Sequence, residues 1–493
     1  MTGKVYLVGA GPGDPELITI RGAKLLAKAQ VVVYDHLVNP ELLALTDQDC
    51  RLIDAGKRAE NHTLDQASIN SLLVAEAQKG LLVVRLKGGD PYVFGRGGEE
   101  ALFLAAAGVE FEVVSGVSST IAVANAAGIP LTHRGLSSQA TLLTGHGQDG
   151  LDIDFSTLAK DQTLSIVMGR KNLDRIRANL MAAGHPPSTL AAVIENGSTA
   201  AQKTVVGTLA DLAEKVERAG LKPPTLLVVG AVVGLRDQLN WFENRPLFGK
   251  TILVTRTSSQ ASSLADPLRE LGAKVLERPA IKIVANIPNE PLIKALGEID
   301  QYRYLVFTSP NAVHIFFEIL HVLKLDARFF GHRLQTVAIG PGTEKELAAH
   351  GLLSDFKPSV YQAEGLIEIF KNLPQGPVLL PRSAKARKIL PQSLNQMGFP
   401  TNEIKLYATE PIRHFLEPTD QAEVATLTSA SVAKSLAEAL EPQQKELPTI
   451  SIGPITTQAA REVGLKVVAE SPKASIPSLV ETIRQYFSPQ GGQ

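Results

Sequence analysis

Apolar residues open the chain in a short run, Val5–Gly9, followed by a glycine turn, a helical stretch near Glu16–Ala29 and a second apolar run, Val31–Asp35. Runs of this length between turn residues predict buried strands, and their order predicts a βαβ unit. Ile69, Leu72, Leu73 and Ala77 recur at helical spacing, predicting a helix over Ser68–Lys79 that Gly80 ends before a strand at Leu81–Leu86. The alternation continues to Val114. Beyond Gly128-Ile129-Pro130, strands at Thr141–Thr144, Leu164–Met168, Ala191–Glu195 and Leu226–Val229, with a helix over Asn172–Ala183, predict a second α/β lobe. Turn residues fill Trp241–Gly249, where we place a linker at 245–249, and a fresh apolar strand follows at Thr251–Thr255.

The second half repeats itself. Thr308-Ser-Pro-Asn-Ala-Val returns as Thr428-Ser-Ala-Ser-Val, Ile339-Gly-Pro-Gly-Thr as Ile452-Gly-Pro-Ile-Thr, and Val254-Thr-Arg256 is echoed by Leu380-Pro-Arg382. Ordered repetition of this kind predicts two similar α/β lobes with a cleft between them.

Composition narrows the function classes. At 493 residues the chain has room for two to four domains, and 44% hydrophobic with 20% charged content is that of a globular protein. A net charge of −1 argues against nucleic acid or an anionic membrane as partner and leaves an anionic small molecule open. Cys50 is the only cysteine, so no internal disulfide or cysteine-rich metal site can form. No signal peptide is expected, and the apolar stretch Leu226–Leu235, broken by Gly230 and Gly234, is too short to span a bilayer. We therefore expect a cytoplasmic protein with no membrane association. The ten histidines include no HExxH or other close pair, and no metal site is expected.

In Gly9-Ala-Gly11-Pro12-Gly13-Asp14 the glycines allow a sharp turn after a strand and close backbone approach to a ligand. Asp35, ending the second strand, is where a dinucleotide-binding unit has its ribose-binding acid. Against that reading, Asp14 stands where the third glycine is required, and Pro12 stiffens the turn. A plain tight turn remains the third reading. The run Leu86-Lys-Gly88-Gly89-Asp90-Pro-Tyr-Val93-Phe-Gly-Arg-Gly-Gly-Glu99 is more selective: Gly88 and Gly89 expose backbone to an adenosine moiety, with Asp90 as acceptor.

These loops, with VVVYD at Val31–Asp35, GKR at Gly56–Arg58, VVSGVSS at Val113–Ser119, GIPLTHR at Gly128–Arg134, MGR at Met168, ENG at Glu195–Gly197 and LRDQLNWF at Leu235–Phe242, resemble uroporphyrinogen-III C-methyltransferase over residues 3–244. The resemblance implies a two-lobed tetrapyrrole-methyltransferase fold with lobes at 1–116 and 117–244, a homodimer through this half of the chain, and double methylation of uroporphyrinogen III from S-adenosylmethionine to precorrin-2, for siroheme or cobalamin. It places Pro12, Gly88, Gly89, Asp90, Val93, Ser118, Ser119, Met168 and Gly197 on the cofactor, Asp35 as proton acceptor and Lys57 as proton donor. The chain departs from the family at Ser118-Ser119 (commonly Thr-Ala), His36 (often Arg) and Glu60 (commonly Gly). From the residues alone, Lys57 could equally hold substrate carboxylates with Arg58, Arg85, Lys87, Arg96 and Arg134, and Asp35 could bind a ribose or cap a helix. The family's other fusion partner, an NAD-dependent dehydrogenase and ferrochelatase module, has no candidate segment.

ILVTR at Ile252, FTSPNAV at Phe307, AIGPGT at Ala338, YQAEG at Tyr361–Gly365, LTSASV at Leu427 and SIGPIT at Ser451 resemble uroporphyrinogen-III synthase. That family closes hydroxymethylbilane with inversion of ring D and uses no cofactor. The resemblance implies a bilobed α/β fold over 250–488, with 250–283 plus 410–488 as one lobe and 284–405 as the other. Arg256, Thr308, Ser309, Thr343, Arg382, Thr428, Ser429 and Thr456 are candidates to bind the substrate's carboxylates, with helix capping the competing role for each Ser and Thr. Tyr407 matches a family tyrosine suspected of assisting loss of the substrate hydroxyl; a buried hinge role competes. An oxidoreductase using NAD, fused to a two-lobed binding domain, is the alternative reading of the whole chain.

Overall fold

The computed structural model describes residues 3–56, 64–145, 153–255, 258–331, 334–412 and 421–488. The chain divides into two compact units: Met1–Lys250 with Leu268–Lys274 and Phe487–Gln493, and Thr251–Pro267 with Val275–Tyr486. Both are α/β, each built on two five-stranded sheets.

In the first unit, β1 (Lys4–Gly9), β2 (Val31–Tyr34), β3 (Arg51–Asp54), β4 (Leu82–Lys87) and β5 (Glu110–Val114) form a parallel sheet in the order β3-β2-β4-β1-β5. Its central strands are covered on both faces, which is why they read as continuous apolar runs. Helix α1 (Gln66–Gln78) buries Ile69, Leu73 and Ala77, one face of the predicted stripe. It starts two residues earlier than predicted because Asp65 caps it, accepting from the Ser68 N–H at 2.7 Å, and Gly80 ends it at φ +81°. The long helix expected over Glu16–Ala29 is broken. Asp14 caps a 3-10 turn, Pro15–Leu17, and Thr19 then caps a separate helix, Ile20–Leu26. Two further helices matter for the site: α2 (Gly97–Ala106) and α3 (Ser119–Ala126).

The second sheet has the order β6-β7-β10-β8-β9, from β6 (Ala140–Thr144), β7 (Thr163–Val167), β8 (Leu190–Glu195), β9 (Lys203–Thr208) and β10 (Thr225–Val229). Only β6 and β7 pair in parallel, and β9 is a strand the sequence reading lacked. The turns after it are held firmly. Glu243 accepts from Gln202 at 2.8 Å and Thr204 at 2.6 Å and pairs with Arg236, while the Arg245 guanidinium stacks over Trp241 and Phe242.

The second unit contains β11 (Thr251–Val254), β12 (Lys274–Glu277), β13 (Ile281–Ala285), β14 (Tyr304–Phe307), β15 (Gln335–Ala338), β16 (Val378–Ser383), β17 (Thr401–Pro411), β18 (Val424–Leu427), β19 (Thr449–Ser451) and β20 (Val467–Glu470). They assort into sheets of order β12-β11-β18-β19-β20 and β13-β17-β16-β14-β15. The repeat seen in the sequence is structural: β14, α4 (Pro310–Val322), β15 and α5 (Pro341–Ala349) in one sheet match β18, α6 (Ala430–Ala439), β19 and α7 (Pro454–Glu462) in the other. Among the described residues, no helix is long and apolar enough to cross a membrane.

Candidate active sites

Three loops meet at the C-terminal ends of β1, β4 and β5. Gly11 and Gly89 exchange backbone hydrogen bonds, Gly89 N–H to the Gly11 carbonyl at 2.7 Å and Gly11 N–H to the Gly89 carbonyl at 3.2 Å. Both glycines have positive φ, +81° and +68°, a region where a side chain is strained. A Cβ on Gly9 would lie 2.5 Å from the Gly116 backbone and 2.6 Å from the Gly89 carbonyl oxygen, so the three loops pack backbone on backbone. Asp90 fastens this arrangement: one carboxylate oxygen accepts from the Tyr92 N–H at 2.8 Å, the other from the Gly116 N–H at 3.0 Å. Asp90 thus shapes the loop, with a second lone pair on each oxygen still able to accept.

The first glycine loop is held by Ser198, from the turn after β8, and by Asn39. The Asp14 N–H donates to Ser198 Oγ at 3.3 Å, and the Asn39 side chain donates to the Gly13 carbonyl at 2.8 Å. Gly197 has no room for a Cβ because Val123 of α3 occupies that space. Ser118 caps α3 and shares a 2.8 Å hydrogen bond with Thr120, leaving Ser119 as its first helical residue. Met168 follows β7, half-exposed with φ +55°, and Asn196 and Ser198 flank Gly197 with φ +48° and +61°. Such left-handed conformations in non-glycine residues cluster where binding requires them. Pro12, Gly88–Asp90, Ser118–Ser119 and Gly197 are therefore brought to one edge of the unit. Val93 follows in the same loop, its N–H bonded to the Asp90 carbonyl at 3.3 Å.

Beside these loops lies a chain of charges that the sequence reading did not assemble. Asp35, 30% exposed at its side chain, accepts from Arg85 at 2.5 Å. Arg85 also reaches Glu100 of α2 at 3.1 Å, and Lys87 reaches the same oxygen at 2.9 Å. Gln66 of α1 is its third donor, at 3.2 Å. Arg85, Lys87 and Glu100 are buried, which removes Arg85 and Lys87 from the cations open to substrate carboxylates; Arg85 orients Asp35 from within, and Lys87 is held by Glu100. Burial, with repulsion from Arg85, pulls the Lys87 ammonium below the usual lysine range, opposed by Glu100 and Asp35. Two cations against two carboxylates leave the cluster neutral. Lys57 and Arg58 lie outside the described residues. Arg96 is exposed and paired with Glu99, and Arg134 is exposed.

This geometry disfavours a dinucleotide site. Its pyrophosphate needs a helix N-terminus directly after the glycine turn, and here a three-residue 3-10 turn stands in that place. Asp35 is engaged by a buried guanidinium instead of facing a ribose unencumbered. S-adenosylmethionine suits the residues better, since Gly89 leaves bare backbone beside Ser118 and Ser119 at the first turn of α3 and Gly88 leaves it beside Leu37.

In the second unit, Tyr407 is buried with its hydroxyl 3.0 Å from Ser309 Oγ. A bulge between Arg382 and Ser383 shifts the β16–β17 register there, and the Ala384 N–H bonds the Tyr407 carbonyl at 2.8 Å. Burial raises the Tyr407 pKa, which Ser309 and the nearby Arg382 charge oppose. Arg382 is only 4% exposed, an interior cation and not an open substrate-facing one as expected. Its Nη2 donates to the Arg387 carbonyl at 2.8 Å, Nε lies 3.7 Å from Glu403, and Nε and Nη1 have no hydrogen-bond acceptor. Burial lowers its pKa.

The hydroxyl candidates divide. Ser309 and Ser429 are the N-caps of α4 and α6, accepting from Ala312 and Val432 at 3.1 and 3.2 Å. Thr343 and Thr456, expected to present hydroxyls to substrate, are instead buried in the first turns of α5 and α7. Thr308 and Thr428 are half-buried beside the two caps. Arg256 lies outside the described residues. The expectation of no metal site rested on spacing along the chain, but the fold gathers His314, Glu346 and His350 from two helices.

The Tetrapyrrole (Corrin/Porphyrin) Methylases family matches residues 4–213, and the Uroporphyrinogen-III synthase HemD family matches residues 262–481. A "Porphyrin biosynthesis protein HemD" of Ruminiclostridium josui is 37% identical over 98% of this chain and 97% of its own length. The "Uroporphyrinogen-III C-methyltransferase" of Bacillus subtilis (strain 168) is 40% identical over 70% of this chain and 71% of its own. An "S-adenosyl-L-methionine-dependent uroporphyrinogen III methyltransferase" of Methanosarcina barkeri is 50% identical over 48% of this chain and 94% of its own. The chain belongs to the family of bifunctional enzymes in which a tetrapyrrole methylase is joined to a uroporphyrinogen-III synthase.

Proposed function

We propose that residues 250–488 close hydroxymethylbilane to uroporphyrinogen III with inversion of ring D, without a cofactor, and that residues 1–244 methylate that product twice to precorrin-2, feeding siroheme or cobalamin. The meeting of the three glycine loops beside Asp35 carries the methyltransferase reading. S-adenosylmethionine supplies an electrophilic methyl group; Pro12, Gly88, Gly89, Asp90, Val93, Ser118, Ser119, Met168 and Gly197 would hold it. Asp35 is the group that removes the proton released when a pyrrole carbon gains the methyl. Arg85 fixes the direction of that carboxylate, so positioning as well as basicity contributes to the rate. Lys57 is proposed as the donor.

In the synthase half, Tyr407 donates a proton to the departing hydroxyl of the linear substrate. Its raised pKa keeps it a phenol at neutral pH, and Ser309 aims it. The interior charge of Arg382 steadies any negative charge left on the phenol oxygen. Thr308, Thr428 and Ser429 receive the substrate's carboxylates together with backbone N–H groups at the starts of α4 and α6, while the single hydroxyl proton of Ser309 is given to Tyr407. A homodimer in the cytoplasm completes the proposal.

The test is one reaction with hydroxymethylbilane and methyl-labelled S-adenosylmethionine. We expect the type III macrocycle without the methyl donor and two labelled methyl groups per macrocycle with it. Isomer I alone, or an unlabelled macrocycle, would overturn the corresponding half.

A further inference from the structure

The pair α4 and α5 carries a group of side chains to which neither proposed reaction gives a role. His314 on α4 directs Nδ1 toward Glu346 Oε1 at 3.6 Å, and His350, just past α5, directs Nε2 toward the same oxygen at 3.5 Å. Glu346 and His350 are four residues apart, one turn on the same face. The three ligand atoms lie within 4.8 Å of one another. A tetrahedral zinc ion with arms of about 2.0–2.2 Å sets its ligand atoms roughly 3.3–3.6 Å apart. The two separations from Glu346 already have that value.

Two further contacts prepare the imidazoles. Glu318, four residues after His314 on α4, lies 3.4 Å from His314 Nε2. A carboxylate on that nitrogen keeps the ring proton there and frees the Nδ1 lone pair, the arrangement that metal-binding histidines use. The His350 ring stacks on Phe317 with centroids 4.3 Å apart and planes 3° from parallel, which fixes its orientation. His314 is exposed and the other two are half-buried, so an ion has a path in and room for water as a fourth ligand.

We propose that His314, Glu346 and His350 form a surface site for a divalent transition ion of the Zn2+ class, with Glu318 as a positioning residue. Two imidazoles and a carboxylate favour zinc over magnesium or calcium, which prefer oxygen ligands. The ion would clip α4 to α5, and α4 is capped by Ser309, the partner of Tyr407.

Full-length protein stripped with a chelator and titrated with ZnCl2 against a chromogenic zinc indicator tests this. We expect one equivalent bound with Kd below about 10 μM, lost in H314A/H350A and weakened roughly 10–100-fold in E318Q. Zinc should raise the melting temperature of wild type and leave that of the double variant unchanged. Matching stripped-protein melting curves establish that the variants fold. Wild type that binds no zinc tighter than about 100 μM, or a double variant that binds it equally well, would overturn the proposal.

Discussion

Replacing Glu100 by glutamine probes the buried charge cluster directly. Glu100 is fully buried and is the shared partner of Arg85 and Lys87, themselves 2% and 3% exposed. The amide leaves two interior cations facing only Asp35. Removing one member of a buried ion pair costs about 3–5 kcal/mol, chiefly because the remaining charge is stranded. For a unit of this size each kcal/mol lowers the midpoint by about 2–4 °C, so E100Q should melt roughly 6–20 °C below wild type by scanning calorimetry. The loss should depend on pH. Glu100 supports the Lys87 proton, so without it the Lys87 pKa falls further below its unfolded value of 10.5. Between those two values the unfolded chain binds more protons than the folded one, so stability rises with pH, more steeply in E100Q than in wild type. Adding Lys87→Met removes the stranded charge and should restore most of the loss. An E100Q midpoint within about 2 °C of wild type, or a double variant no more stable than E100Q, would refute this account.

Asp35→Asn should lower methyl transfer about 10²–10⁴-fold while S-adenosylhomocysteine affinity, read by calorimetry, stays within a few-fold; parallel loss of both would make Asp35 a binding residue. Gly197→Ala forces a methyl into Val123 and should cost about 1–3 kcal/mol of stability by overpacking, with weaker cofactor binding in the same titration. Tyr407→Phe should lose about 0.5–1.5 kcal/mol with the Ser309 hydrogen bond yet slow ring closure far more than that stability change explains, measured as type III product per minute. Because burial raises its pKa, Tyr407 should ionise later than exposed tyrosines among the chain's eight in an alkaline absorbance titration.

The parallel sheet of the first unit was legible because strands buried on both faces are uniformly apolar, and the glycine loops because no other residue permits their backbone. Glu100 was not. Its sequence setting, Gly-Gly-Glu-Glu, resembles an ordinary acidic first turn, and only the shared inward face of Arg85 and Lys87 on β4, two residues apart, signalled that an interior acid was needed. The same alternation placed both cations inside, against the reading that offered them to substrate. Arg382 misled in the same way, since a charged residue inside Leu-Leu-Pro-Arg looks exposed until the neighbouring strands are known. Capping at Ser309 and Ser429 was foreseeable from each residue; the meeting of Ser309 with Tyr407, 98 positions away, was not. His314 and His350 are likewise joined only by the packing of two helices.

The clamp at Glu243 bears on how the two enzymes can be separated. A gene split just after Phe242 would leave the Gln202, Thr204 and Arg236 donors without their common acceptor, so the junction peptide belongs to the architecture of the first enzyme. Gly249 is different: its φ is +76° and nothing lies within 4 Å of where a Cβ would be. A spacer of any length belongs there, where chain can be added without unmaking a hydrogen bond of the clamp, and a free-standing methyltransferase should be ended beyond it.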